Sequence, residues 1–184
     1  TLNTIASLSE VDPDRTRELL TEFGRYLRSS FDLRNLDRKV PFAKEWSLVQ
    51  SYLHIEQARF GDRIRVTCDV QVAAPFSLPP LTIQPLVENA LRHGILTRFE
   101  GGHIHLLVLE EPGGVRVTVR DDGVGIPPDK LNAVLTGTYR SGIGLVNVHR
   151  RLLNAYGEGL TIRSDARTGT EVAFRIPETK EESA

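Results

Sequence analysis

At Gly61-Asp62 the spacing of apolar side chains changes from three or four residues to two, so the chain must build helices first and a sheet afterwards. Upstream, Asp12 followed by Pro13 supplies an N-cap and a proline at the first helical position, and Leu19, Leu20, Phe23, Leu27 and Phe31 then recur at helical spacing. A second run begins near Pro41 and carries Trp46, Val49, Leu53 and Phe60 on one face until Gly61 stops it. Together they predict a helical hairpin, joined by a charged, solvated turn at 34–39.

From Arg63, the residues Ile64, Val66, Cys68, Val70 and Val72 alternate with polar ones, as a half-buried strand requires. Further strands are predicted at 104–109, 115–121, 160–164 and 171–176, with Pro112-Gly113-Gly114 turning the second into the third. Helices fall between them at 81–94, 128–135 and 143–156. Hairpins with inserted helices predict an α+β fold, a two-layer sandwich preceded by the helical hairpin. The expected division is a stem over 1–61, a second unit over 62–178 and a polar tail over 179–184.

With 184 residues, 40% of them hydrophobic, the chain can bury a real core. Its formal charge of −1 sets up no field toward nucleic acid or anionic lipid, so any phosphate binding must be local. The single cysteine, Cys68, has no partner for an internal disulfide; it suits a reducing compartment and is expected to pack. No uncharged apolar run approaches about 18 residues, and no leader with a cleavage site is present. The expected location is the cytoplasm, with any membrane attachment supplied by parts of a parent protein.

Four short elements carry chemistry. In the helix at 81–94, Ile83, Leu86, Val87, Ala90 and Leu91 form one stripe, which leaves Asn89 and His93 together on another side. An asparagine amide oxygen is a hard, neutral ligand suited to Mg²⁺ already balanced by phosphate; alone, it fits equally a surface position beside an ordinary Glu88–Arg92 ion pair. Asp121-Asp122-Gly123-Val124-Gly125 ends a well-patterned strand. A carboxylate there can accept from an exocyclic amino group, and the glycines let backbone approach a flat base; alone, it is a strand-ending turn.

The third element is Ser141-Gly142-Ile143-Gly144-Leu145, where a glycine-rich segment enters a helix with Leu145, Val148, Leu152 and Tyr156 on its apolar face. Free amides at such a helix start form a phosphate cradle, though alone this is also a helix cap. The stretch 126–140 before it, with Pro127, Pro128 and Gly137, reads as a lid. Fourth, Thr168-Gly169-Thr170 precedes the last strand and by itself is a hairpin turn.

In this order, the four elements resemble the N, G1, G2 and G3 boxes of the ATPase family that histidine kinases share with DNA gyrase, Hsp-type chaperones and MutL. Pro85-Leu86-Val87-Glu88-Asn89-Ala90 with Arg92-His93-Gly94, and Tyr52-Leu53 through Ile55-Glu56 to Arg59-Phe60-Gly61-Asp62-Arg63, look like the LytS/YehU group of sensor histidine kinases. The resemblance covers nearly the whole chain. It implies a Bergerat-type ATP-binding fold, and Mg-ATP held with Asn89 on Mg²⁺, Asp121 on the adenine amino group and Gly123, Gly125 and Ile126 beside the base. It further implies Gly142, Ile143, Gly144 and Leu145 at the phosphates, Thr170 near the adenine, and Arg92 and His93 close to the transferred group.

The same resemblance implies a homodimer through the stem, a response regulator as partner and no nucleic acid. Leu2-Asn3-Thr4-Ile5 looks like the tail of the phosphoacceptor helix, so the acceptor histidine is expected upstream of this chain. None of His54, His93, His103, His105 or His149 has its surroundings. Gyrase-like relatives activate water with a glutamate four residues before the asparagine, where this chain has Pro85; an ATP-hydrolysing switch is therefore the second reading, and a nucleotide-binding dimerisation module the third. His103 and His105 share a strand face, two ligands short of a metal site. His54 and His149 are expected on helix surfaces.

Overall fold

The first helix, α1 (Pro13–Asp32), starts as its sequence demands, with Asp12 accepting the Arg15 amide at 3.0 Å and a proline in the first turn. The structure is a computed structural model that describes residues 5–6, 9, 11–33, 38–129, 131, 143–166 and 168–178. α2 (Phe42–Phe60) follows antiparallel to α1 and ends at Gly61. The two meet through Ser51, which donates to Glu22 at 3.0 Å, a His54–Glu18 contact at 3.3 Å and the Tyr26 and Tyr52 rings 6.0 Å apart. The apolar run of α1 divides: Leu19 is buried, whereas Leu20, Leu27 and Phe31 stand exposed.

Two strands that the hydrophobic pattern does not announce, β1 (Val40–Pro41) and β3 (Ser77–Leu78), pair antiparallel at the start of α2. Two residues are too few to show a period. The main sheet has the order β2 (Ile64–Gln71), β4 (Gly102–Glu111), β5 (Gly114–Asp121), β7 (Gly169–Pro177), β6 (Thr161–Asp165). β4, β5, β7 and β6 are antiparallel neighbours, and the Pro112-Gly113-Gly114 turn joins β4 to β5 as read from sequence. β2 departs from the hairpin pattern by pairing parallel with β4. A parallel pair needs a crossover, and α3 (Ile83–Asn89), continued by a wider π turn over Ala90–Ile95, supplies it.

One face of this sheet carries Ile104, Leu106, Val108, Val117, Val119, Val172 and Phe174 into a core closed by Ile83, Leu86, Val87 and Leu91 of α3 and its extension. Leu145, Val148 and Leu152 of α4 (Ile143–Tyr156) enter the same core, as do Val49, Tyr52 and Leu53 of α2. Each such aliphatic side chain contributes about 2 kcal/mol by leaving water. The result is the expected α+β two-layer sandwich behind a helical hairpin.

Two local readings need correction. Cys68 is exposed, because β2 is an edge strand whose alternation weakens after Val66. The helix at 81–94 starts two residues later, since Leu81 takes a positive φ of 54°, and it runs one residue further, to Ile95. Among the described residues no helix is long and apolar enough to cross a membrane. Most of the lid segment 126–140 and of the helix at 128–135 lies outside the described residues, as do the 179–184 tail and most of the 34–39 turn.

Candidate nucleotide site

β5 delivers Asp121 to the end of the sheet beside the last turn of the α3 extension. A β-carbon built on Gly94 would lie 2.5 Å from Asp121 Oδ1, and one on Gly123 would lie 2.3 Å from the Gly94 carbonyl carbon. No side chain fits at either position, so the Asp-x-Gly turn and the helix end touch backbone to backbone. Val124 N–H donates to Gly94 O at 3.3 Å and Thr97 Oγ1 to the same oxygen at 2.8 Å. Gly94 is thus a site residue that sequence reasoning recorded only as a neighbour of His93. Its signal was a glycine inside a helix, which costs stability unless packing requires it.

Asp121 is 3% exposed and accepts the Gly123 amide at 2.9 Å. Burial pushes its carboxyl up to about 6, against the pull of the Gly123 and Thr170 amides, with Asp122 adding to the rise. A buried carboxylate with one oxygen engaged by backbone retains acceptor capacity for a ligand amino group. Asp122 serves the frame instead, taking the His103 amide at 2.7 Å.

Thr170, buried, sits opposite Asp121 in the β5–β7 register. Its hydroxyl meets Ser164 Oγ at 2.9 Å, and Ser164 Oγ accepts the Ile126 amide at 2.7 Å. Ser164 was not singled out from sequence, because nothing in a β6 pattern of alternating residues marks it. Gly125 has φ 70° and lies so close to the Asp165 carbonyl that a β-carbon would approach it to 2.5 Å. Asp121, Gly123, Gly125, Ile126 and Thr170 are thus brought together at one end of the sheet, with Gly94 packed against Asp121 and Gly123.

Asn89, one helical turn before Gly94, is half-buried, and its side chain makes no hydrogen bond with any described residue. An unengaged neutral amide oxygen is a hard donor of the kind that Mg²⁺ accepts. α4 approaches α3 here: a β-carbon on Gly144 would meet Pro85 Cβ at 3.9 Å and nothing nearer. Gly144 is exposed, and the Leu145 side chain is buried in the core, where it anchors the helix start. Gly142 lies outside the described residues, as does the Ile143 side chain.

Arg92 and His93 are exposed, and Arg92 pairs with Glu88 at 3.0 Å, the ion pair that the spacing allowed. The remaining histidines are engaged elsewhere. His105 contacts Asp69 at 2.6 Å, His103 meets Thr67 at 2.8 Å, and His54 is on the α2 surface. His149 corrects its surface reading: it is half-buried, and its Nδ1 accepts the Leu160 amide at 3.0 Å.

Residues 80–180 match the family model described as histidine kinase-, DNA gyrase B-, and HSP90-like ATPase, and residues 1–64 match the one described as histidine kinase. The sensor histidine kinase YpdA of Escherichia coli is 42% identical over 96% of this chain, and the sensor protein LytS of Bacillus subtilis 34% identical over 96%. The chain spans 31% of the length of each. In fold it is similar to the histidine kinase domain of a blue-light activated histidine kinase from Erythrobacter litoralis, with a TM-score of 0.59, 22% identity, and coverage of 94% of this chain and 80% of that one.

Proposed function

The chain belongs to the histidine kinase-, DNA gyrase B- and HSP90-like ATPase family, and on that premise we propose that it is the ATP-binding catalytic region of a two-component sensor histidine kinase. It would present the γ-phosphoryl of Mg-ATP to a histidine on a helix upstream of this chain, for relay to a response-regulator aspartate. The supporting observation is the buried carboxylate of Asp121 packed against two glycines, Gly94 and Gly123, at a strand end where neither glycine could carry a side chain. An ionised carboxylate can only accept, and so would select an exocyclic amino group.

Within this reading Asn89 offers its amide oxygen to magnesium, which would neutralise charge on the phosphates. The start of α4 at Gly144 offers amides to phosphate oxygens. Phosphoryl transfer asks mainly for placement and charge neutralisation, and a half-buried asparagine with a helix start beside it supplies placement. Arg92 and His93, exposed next to Asn89, have room to approach the transferred group. Pro85 offers no carboxylate at the position where gyrase-like relatives activate water, which favours transfer over hydrolysis.

The stem, 1–61, serves dimerisation in this proposal, with the exposed Leu20 and Leu27, seven residues apart on α1, against a second copy. The region would work in the cytoplasm. Titration with a nonhydrolysable ATP analogue tests the core of the proposal: magnesium-dependent binding that Asp121→Ala abolishes supports it, and no binding overturns it.

A further inference from the structure

The turn at 79–83, from which the Asn89 helix starts, is gripped from two sides by groups distant in sequence. Glu45 on α2 is wholly buried. Its Oε2 accepts the Leu81 amide at 2.8 Å, and its Oε1 accepts those of Ile83 at 2.8 Å and Gln84 at 3.3 Å. These are the free amides of a helix N-terminus. Thr82, at the N-cap position, makes no side-chain cap bond; its hydroxyl turns back to Pro79 O at 2.6 Å. The cap of α3 therefore comes from another helix.

Arg151 on α4 donates through Nη1 to Pro80 O and to Leu81 O, the latter at 2.9 Å. Leu81, with its positive φ, is thus held by its N–H from α2 and by its C=O from α4. Among the described residues no cation forms an ion pair with Glu45. Its charge is met by the amides and, more distantly, by Arg151, while burial raises the Glu45 carboxyl and lowers the Arg151 guanidinium. A local serine would cap a helix at lower desolvation cost. Glu45 and Arg151 instead tie three elements together through the same turn.

Those elements carry the phosphate end of the site. α3 bears Asn89, two turns beyond the turn that Glu45 caps; α4 bears Gly144, two turns before Arg151 and beside Pro85. Resting on the ATP-binding reading, we propose that Glu45 and Arg151 are positioning residues that fix Asn89 relative to the Gly144 end of α4. Without them α3 keeps its apolar stripe but loses its longitudinal anchor, and the magnesium ligand drifts from the phosphate cradle. Among the described residues, the hydrogen bonds of Asp121, Gly94 and Gly123 share no partner with those of Glu45 and Arg151.

The test is titration of the chain with a nonhydrolysable ATP analogue, once with magnesium and once in excess chelator, alongside thermal melting. Glu45→Gln and Arg151→Gln should keep the chelator affinity within about twofold and lose about tenfold of the magnesium-dependent gain, and Arg151→Lys should recover part of it. Arg151 is half-buried, so its variants report even where Glu45→Gln does not fold. A folded variant with the full magnesium-dependent gain, or equal losses with and without magnesium, overturns the proposal. Absence of nucleotide binding in the unsubstituted chain would overturn the ATP reading and this proposal with it.

Discussion

The α-carbon of Gly94 lies against the Asp121 carboxylate so closely that a single added methyl group would stand 2.5 Å from Oδ1. Gly94→Ala must therefore push Asp121 out of place or unwind the last turn of the α3 extension. The expected result is a loss of about 1–3 kcal/mol of stability by overpacking and a loss of ATP-analogue binding. Melting and titration of the purified variant check both, and unchanged affinity would mean that Asp121 does not line the base pocket.

Asp121 also sets a pH dependence. Its carboxyl is raised from 3.8 to about 6, so the folded state holds its proton more tightly than the unfolded chain does. The stability it contributes is fully present below about 3.8 and is lost as pH rises through about 6. Ligand binding runs the other way, because an amino donor needs the ionised acceptor. Analogue affinity should fall about tenfold per unit as pH drops below about 6, and Asp121→Asn should flatten that slope. A wild-type profile already flat from pH 5 to 7.5 would remove Asp121 as the titrating group.

Asp121→Asn should also blur the choice between adenine and guanine nucleotides, since an amide can turn either donor or acceptor toward the base. Competition between ATP and GTP analogues measures this directly. Equal preference ratios in both proteins would assign base reading to another group.

Asn89→Ala should lower magnesium-dependent affinity by about tenfold, near 1.4 kcal/mol, while the fold persists or gains slightly, because alanine favours helix over asparagine. The Asn89 side chain bonds no described residue, so the fold loses no side-chain hydrogen bond there. Identical magnesium titrations of variant and wild type would show that the metal is held elsewhere.

What the sequence made legible follows from the range of the interactions. Apolar period, Asp12, the Gly113-Gly114 turn and the apolar face of α4 are local signals, and each appears where its residues place it. Asp121, Gly123 and Gly125 were readable as a strand end because the glycines stand in a fixed order after the carboxylate. Gly94, Ser164, Glu45 and Arg151 were not, because each acts on a residue at least 27 positions away or is defined by a contact with no spacing rule. The parallel pairing of β2 was hidden for the same reason: an edge strand alternates whichever way its one neighbour runs. Cys68 shows the limit of alternation, since a residue can keep the period of two while its edge position leaves it exposed.

The five histidines supply the last prediction. A phosphoryl acceptor must present a free imidazole nitrogen in line with the γ-phosphoryl. His149 gives Nδ1 to the Leu160 amide, His105 is bound to Asp69, and His103 contacts Thr67. His54 sits on α2 against Glu18, and His93, on the turn that continues the Asn89 helix, lacks the sequence surroundings of an acceptor. Incubated with γ-labelled ATP, this chain should bind nucleotide yet gain no acid-labile label. A longer chain that adds an upstream histidine should be labelled if the proposal holds, and mixing it with this chain tests transfer between copies. Robust acid-labile labelling of any of the five histidines of this chain would overturn the proposed upstream acceptor.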